Sequence, residues 1–308
     1  MNSLLCTIQQ ASDYRSKLQG FQLQSSEIGE AVVAFISNLQ QFHQFTMLPV
    51  SLFGLGGWLQ ETWGKASLSV CGREFQEDDT RIIEVQEELK RRTEKCRVHN
   101  DTLKWRFDSL TRCADLLGDK GEQDSFVDEG LRSFLASQTI LCWTLFEATA
   151  KDIWIAALNS RTRTVGAKIA KISRDKSNDS GKQMKLAELE KYGWNVIGKL
   201  GHAYSYKYDF SRCDECGKAY FDAFNWAELR DLFQSGELRR LNAIRNLFVH
   251  KAGVVDETFV KQSKLPDLVV GQKYRVSPAE VSELCFVALN ILCDLVQRVD
   301  SWLKENPE

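Results

Sequence analysis

A chain of 308 residues, 43% of them hydrophobic, can bury a substantial core in one large domain or two smaller ones. Its 40 Lys and Arg residues are balanced by 42 Asp and Glu residues, which excludes a general positive charge that would hold the molecule on nucleic acid. Any contact with nucleic acid therefore requires a local basic patch.

The cysteine and proline content indicates the compartment and the fold class of the protein. The nine cysteines form an odd set without the spacing of a disulfide framework, and the N-terminus lacks the basic and apolar stretches of a signal peptide. These features predict a cytoplasmic protein with reduced thiols. Only four prolines interrupt the chain, so we expect an all-α, mainly helical bundle with one small β-hairpin near the C-terminus.

Residues 1–117 are predicted to form an N-terminal helical module. Residues 31–60 contain no Asp, Glu, Lys or Arg, but Pro49 and three glycines interrupt them, whereas a spanning helix needs roughly 20 uninterrupted apolar residues. We expect a buried helical pair with a glycine-rich turn and no stable membrane insertion. A membrane-facing or partner-binding surface is the alternative.

A long charged helix is predicted from about residue 79 to residue 117. One stripe of apolar residues recurs every seven positions, at Ile82, Leu89, Cys96, Leu103, Leu110 and Leu117. Because the companion positions are mostly polar, an antiparallel or domain-spanning helix is favoured over a self-associating coiled coil. The polar, glycine-bearing residues 118–124 then separate this module from a second domain at 125–305.

The second domain opens with a strongly apolar helix predicted over residues 126–158. A basic run follows from 159 to 187, beginning with Arg161 and including Lys168, Lys171 and Arg174. Such a run is either a solvated face or connector, or a surface that contacts phosphates.

Two features lie between this run and the C-terminus. Cys213 and Cys216 form a CxxC pair downstream of His202, but a zinc site needs four ligands and no second pair exists, so we predict no metal site. The stretch from Tyr204 to Trp226 is rich in aromatic residues, which either pack a loop-rich insertion or stack on unpaired bases.

The C-terminal part predicts a hairpin at 268–276 around Gly271 and then a final helix ending near Leu303. Ser277 and Glu280 have the spacing of a capping box, and Pro278 suits the first helical position.

The residues most suited to chemistry lie in one predicted helix. Its apolar face comprises Leu238, Leu241, Ile244 and Phe248, and Gly253 can end it by adopting a positive φ. On an ideal helix Asn246 and His250 share a face, while Arg245 lies about 140 degrees from His250. The chain contains no P-loop, GxGxxG, HExxH or GxSxG motif.

Arg245, Asn246, three further residues and His250 resemble the RxxxxH motif of the HEPN superfamily. The resemblance covers roughly residues 125–305, because the helix order is also similar: a leading helix with Phe146 and Glu147, an insertion, the motif helix, a hairpin and a closing helix. Residues 1–117 resemble no family that we can name.

The resemblance implies a metal-independent endoribonuclease, without cofactor, whose site lies between the two protomers of a homodimer. His250 would act as general acid or base, Arg245 would stabilise charge on the phosphate and Asn246 would orient them. Supporting roles would fall to Glu147 and Lys251, and RNA contacts to Arg239, Arg240, Lys168, Lys171 and Arg174.

A toxin or antiviral defence effector is the expected setting, with an antitoxin or regulatory protein bound through the N-terminal module. The alternative is a non-catalytic HEPN scaffold for dimerisation, in which Arg245 and His250 only make hydrogen bonds.

Overall fold

The structure is a computed structural model that describes residues 23, 25–74, 76, 80–98, 125–175 and 190–307. Helices dominate these residues, so the all-α class is confirmed. In chain order they are α1 (Gly29–Cys71), α2 (Ile82–Val98), α3 (Ser125–Ser160), α4 (Thr162–Asp175), α5 (Leu200–Ser205), α6 (Cys213–Phe224), α7 (Ala227–Leu232), α8 (Gly236–Lys251), α9 (Glu257–Ser263) and α10 (Pro278–Glu305).

The described residues fall into two compact units. Residues up to His43 and from Arg132 onward form one, and Gln44–Leu131 the other. This grouping differs from the sequence-based division at 1–117 and 125–305. The cause is an apolar stripe on the first part of α1, where Ile28, Val32 and Phe35 are buried in the same core as the C-terminal helices.

The core of the first unit is built on α3 and α10, which are the longest helices that lie mainly within it. Trp143, Phe146 and Trp154 of α3 are fully buried, and α10 buries apolar residues from Val281 to Leu303. The α10 cap forms as predicted: the Ser277 hydroxyl accepts a hydrogen bond from the Glu280 N–H at 3.2 Å, and Pro278 is the first helical residue. The predicted positions of both long helices are therefore correct.

The hairpin predicted at 268–276 is not confirmed. A turn does form there, because the Gln272 N–H donates to the Val269 carbonyl at 3.2 Å. The residues that follow pair instead with the segment after α8: the Val255 N–H donates to the Gln272 carbonyl, and a single antiparallel bridge joins Val254 to Lys273. The extended pairing therefore links the end of α8 to the approach to α10.

The second unit contains the later part of α1 together with α2. The expected helical pair in 31–60 is wrong, because α1 continues through Pro49 and the glycines to Cys71. Proline removes only one helical hydrogen bond, which a long helix tolerates with a local distortion. The long charged helix begins at Ile82 and is described to Val98. The rest of that prediction, and the boundary at 118–124, lie outside the described residues.

Over the described ranges, every helix falls short of the length or apolarity that crossing a membrane requires.

Candidate functional site on helix α8

Helix α8 is fixed at both ends and along one face. The Ser235 hydroxyl accepts a hydrogen bond from the Leu238 N–H at 3.3 Å, which caps the first turn. At the other end Ala252 and Gly253 have φ values of 49° and 80°. A Cβ on Gly253 would lie 3.0 Å from the Phe248 ring, so the predicted role of glycine at this position is confirmed.

The buried face of α8 consists of Leu238, Leu241, Ala243, Ile244 and Leu247. Anchoring this face in the core fixes the rotation of the helix, and with it the directions of the polar side chains on the other face.

The structure brings two of the three predicted catalytic residues into contact. Arg245 is half-buried, and its Nη1 donates to the Asn246 Oδ1 at 2.8 Å. Its Nε is buried and finds no hydrogen-bond acceptor among the described residues. His250 is exposed on the last turn of α8 and forms no hydrogen bond with Arg245 or Asn246. Within one protomer, therefore, the imidazole stands apart from the Arg245–Asn246 pair.

The two predicted supporting residues have different environments. Lys251 is exposed, and its Nζ lies 3.9 Å from the Asp256 carboxylate. Glu147 is half-buried on α3 and forms no hydrogen bond or ion pair with Arg245 or His250. The Glu147 carboxylate is one of the neighbouring groups that, after the larger effect of burial, raise the pKa of the Cys216 thiol. The support of Arg245 or His250 by Glu147 therefore stays a prediction.

The predicted RNA-binding residues also differ in their environments. Arg240 is largely buried and forms ion pairs with Glu280 at 3.6 Å and Glu283 at 3.2 Å, so its charge is compensated within the protomer. Its role in binding RNA stays a prediction. Lys168 is exposed, with its Nζ 5.6 Å from the centre of the Trp302 ring. The side chains of Lys171 and Arg174 lie outside the described part of α4.

The remaining candidate, Arg239, lines a polar cavity of about 490 Å³ between α8, the start of α6 and the end of α9. Asn242 and Asn246 line it from the same face of α8, since the three residues are spaced at i, i+3 and i+7. Arg212, Lys261 and Lys264 line its other walls. The polar stripe on α8 could have been found in the sequence, but the other walls come from distant segments and carry no local signal.

Exposed valines surround the end of α8. Val249 precedes His250 on the helix, and Val254 follows the helix end; both are exposed. Val269 and Val270 are also exposed, and they precede Gly271, whose N–H donates to the Val255 carbonyl at 2.9 Å. Exposed apolar side chains therefore lie on the segments at the C-terminal end of α8, the end that carries His250.

The CxxC thiols are core groups in this structure. The Cys213 thiol donates to the Leu238 carbonyl at 3.6 Å and the Cys216 thiol to the Phe210 carbonyl at 3.1 Å. Burial raises the pKa of Cys213 to about 12, so its thiol stays protonated near neutral pH. Throughout the described ranges, no three His, Cys, Asp or Glu side chains converge as a metal site.

Most of the aromatic stretch packs into the core. Tyr208, Phe210, Tyr220 and Phe224 are buried, and the Tyr220 hydroxyl donates to the Ala150 carbonyl of α3 at 2.6 Å. Buried rings cannot stack on bases, so for these four residues packing is the correct interpretation. Tyr206 is the exposed member of the stretch.

Comparison of the chain with protein-family models, with curated proteins and with solved structures gives no match.

Proposed function

We propose that this protein is a metal-independent endoribonuclease of the HEPN type, which cleaves RNA at a site shared by the α8 helices of two protomers. The observation that carries the proposal is the arrangement on α8. Arg245 holds Asn246 by a 2.8 Å hydrogen bond, Asn246 lines a basic cavity, and the exposed His250 lies one helical turn further on.

The chemistry requires a proton acceptor, a proton donor and a fixed cation. The ribose 2'-oxygen attacks the adjacent phosphorus and gives up its proton to an imidazole, while the bond from phosphorus to the 5'-oxygen breaks. A second imidazole protonates that leaving oxygen, which leaves a 2',3'-cyclic phosphate and a 5'-hydroxyl. The Arg245 guanidinium matches the geometry of the phosphoryl oxygens, where negative charge develops.

The separation within one protomer supports a shared site. Helix α8 of a single copy offers one exposed imidazole, that of His250, whereas the reaction uses one as base and another as acid. The exposed valines beside His250 give a second copy an apolar surface on which to pack. A pair related by two-fold symmetry would bring two imidazoles and two guanidinium groups to one cleft.

We further propose a cytoplasmic toxin or defence effector. The same proposal assigns residues 1–117, most of which lie in the second unit, to binding an antitoxin or regulatory protein. The candidate catalytic residues all lie in the first unit, which leaves the second unit available for such contacts.

The direct test is incubation of the purified protein with tRNA or total RNA in excess EDTA. The wild type is expected to cleave, and Arg245→Ala and His250→Ala are each expected to abolish cleavage. Two matched controls, His202→Ala and Arg298→Ala, alter exposed side chains outside α8 and should leave the rate unchanged. Cleavage of equal rate by all five proteins would remove the proposal.

One observation favours the non-catalytic scaffold as a second candidate. The side chain of Arg245 is engaged within its own protomer, through Asn246 and through burial of its Nε. A scaffold predicts no RNA cleavage by the wild type and a shift from dimer to monomer in Arg245→Ala. Light scattering combined with the cleavage assay separates the two candidates.

A further inference from the structure

The cavity lined by α6, α8 and α9 concentrates positive charge in a chain whose formal net charge is −2. Four cationic side chains line it, those of Arg212, Arg239, Lys261 and Lys264, against the single carboxylate of Asp214. Its volume of about 490 Å³ lies within the range of about 300–1,000 Å³ typical of ligand sites.

Part of this charge is not used inside the protein. Arg212 pairs with Asp214 at 2.8 Å, and the Arg239 Nη2 donates to the Gln234 Oε1 at 3.0 Å. Lys261 and Lys264 are exposed, and neither has an ion-pair partner among the described residues. An anion in the cavity would therefore meet two uncompensated ammonium groups without displacing an existing salt bridge.

Asn246 belongs both to the cavity wall and to the RxxxxH motif, because it lines the cavity and contacts Arg245. A guanidinium group has only donors, so the Asn246 oxygen must be the atom that faces Arg245. The Asn246 Nδ2 then stays available to donate from the cavity wall. On the same face, the Asn242 Nδ2 donates to the Ser211 carbonyl at 2.9 Å, which leaves the Asn242 Oδ1 as an acceptor. The cavity thus combines cations for phosphate with amide groups that suit ribose or base edges.

The distance to the imidazole fits a polynucleotide. Asn246 and His250 are four residues apart on α8, or about 6 Å along the helix axis. A phosphate held in the cavity would therefore lie close enough to His250 for one strand to engage both.

From this geometry we infer that the cavity is a binding subsite for a backbone phosphate of single-stranded RNA, next to the nucleotide that is cleaved. Lys261 and Lys264 bind the phosphate, and Asn246 positions the strand relative to Arg245. The inference rests on the proposed function for the identity of the strand, but binding at the cavity is measurable without cleavage.

The test uses full-length protein carrying His250→Ala, so that a labelled single-stranded RNA stays intact during fluorescence anisotropy. Adding Lys261→Glu and Lys264→Glu should weaken binding by about tenfold or more, because two phosphate contacts are lost. The slope of log K against log salt should fall by about 1.4, at about 0.7 for each contact with a single strand. The matched control adds Lys151→Glu and Lys304→Glu, two exposed lysines outside the cavity, and should bind as the parent does.

Equal weakening by both lysine pairs would overturn the subsite, because only overall charge would then matter. Lys261→Ala with Lys264→Ala repeats the test without introducing negative charge, and thermal melting verifies the fold of each variant. If a mononucleotide displaces the RNA at concentrations near the Kd of the RNA, the cavity does not bind a strand. This result would overturn the inference and indicate a small-molecule site. If RNA binding requires Lys261 and Lys264 but the wild type never cleaves RNA, the phosphate subsite is supported and only the nuclease proposal is contradicted.

Discussion

Arg161 shows how a charge that looks solvated in the sequence becomes part of a core. It begins a basic run, yet only 9% of its side chain is exposed. Its Nη2 contacts the Glu27 carboxylate at 3.0 Å and donates to the Leu303 carbonyl at 2.8 Å, and its Nε donates to the Asn306 carbonyl. One guanidinium therefore ties the segment before α1 to the end of α10.

Replacing Arg161 should destabilise the first unit strongly. Arg161→Ala removes the donor from three carbonyls, those of Ser160, Leu303 and Asn306, and from the Glu27 carboxylate. Each buried acceptor left unsatisfied typically costs about 1–3 kcal/mol. Urea unfolding followed by circular dichroism measures the loss. Arg298→Ala is the matched control, because its pair with Asp294 is an exposed i,i+4 contact worth about 0.3–0.5 kcal/mol. Similar midpoints for the two variants would show that Arg161 is not a structural link.

The contact between Arg161 and Glu27 should depend on pH, because the Glu27 carboxyl titrates. The Glu27 backbone N–H, and next the Arg161 guanidinium, lower the pKa of the Glu27 carboxyl below 4.5 despite partial burial. A carboxyl whose folded-state pKa is lowered stabilises the fold above its unfolded pKa, and this contribution is lost as the pH falls through the folded value.

Glu27→Gln should therefore lower the free energy of unfolding at pH 7, and the difference from wild type should shrink as the pH falls below about 4.5. Denaturant unfolding at pH 7, 5 and 3 measures this difference. Glu305→Gln, at the exposed end of α10, serves as control. A difference that stays constant from pH 7 to pH 3 would show that the ionised carboxylate contributes nothing.

At the scale of elements, the sequence predicts those helices whose signals are local. The helix expected at 126–158 is observed as Ser125–Ser160, and α10 begins at its predicted Ser277 cap. Amphipathic spacing and capping act over a few residues, so they are visible without a structure. The ion pairs of Arg240 and the pairing of the segment after Gly271 could not be predicted, because both depend on partners far away in the chain, Glu283 for the first and Val255 for the second.

Packing between elements also depends on positions that local patterns do not reveal. Helix α5 approaches α3 so closely that a Cβ on Gly201 would lie 2.3 Å from the Ile155 carbonyl oxygen. The Gly201 N–H donates to the Asn159 Oδ1 at 2.8 Å, which fixes the crossing. Only glycine allows two helical backbones to approach this closely.

Gly201→Ala should therefore destabilise the protein by about 3 kcal/mol, because backbone rather than a flexible side chain must move. Thermal unfolding followed by circular dichroism measures the shift in Tm. Gly236→Ala is the control on the first turn of α8, where no atom lies within 4 Å of the added carbon. This substitution should leave stability unchanged or raise it slightly. Equal Tm values for the two variants would contradict the close crossing.

The proposed activity depends on two copies of the protein rather than one. The exposed His250 and the half-buried Arg245 are both on α8, but among the described residues of one protomer no contact brings the imidazole to the guanidinium. The sequence indicated this separation through the angular offset of about 140 degrees on an ideal helix. It could not indicate the cavity, whose walls come from three helices, or the valines that gather beside the helix end.

A shared site predicts that two inactive variants restore each other. Arg245→Ala and His250→Ala are each expected to be inactive, but a dimer containing one of each retains one guanidinium and one imidazole in its cleft. That imidazole acts as the base, and water protonates the leaving oxygen in place of the second imidazole, so partial activity remains. Cleavage of RNA by the mixture, after unfolding and refolding the two together, should therefore exceed that of either variant alone at the same total concentration. As control, Arg245→Ala mixed with the Arg245→Ala, His250→Ala double variant should stay inactive, because no guanidinium is present. Failure to recover activity, in dimers shown to be mixed by co-purification of differently tagged protomers, would contradict the shared site.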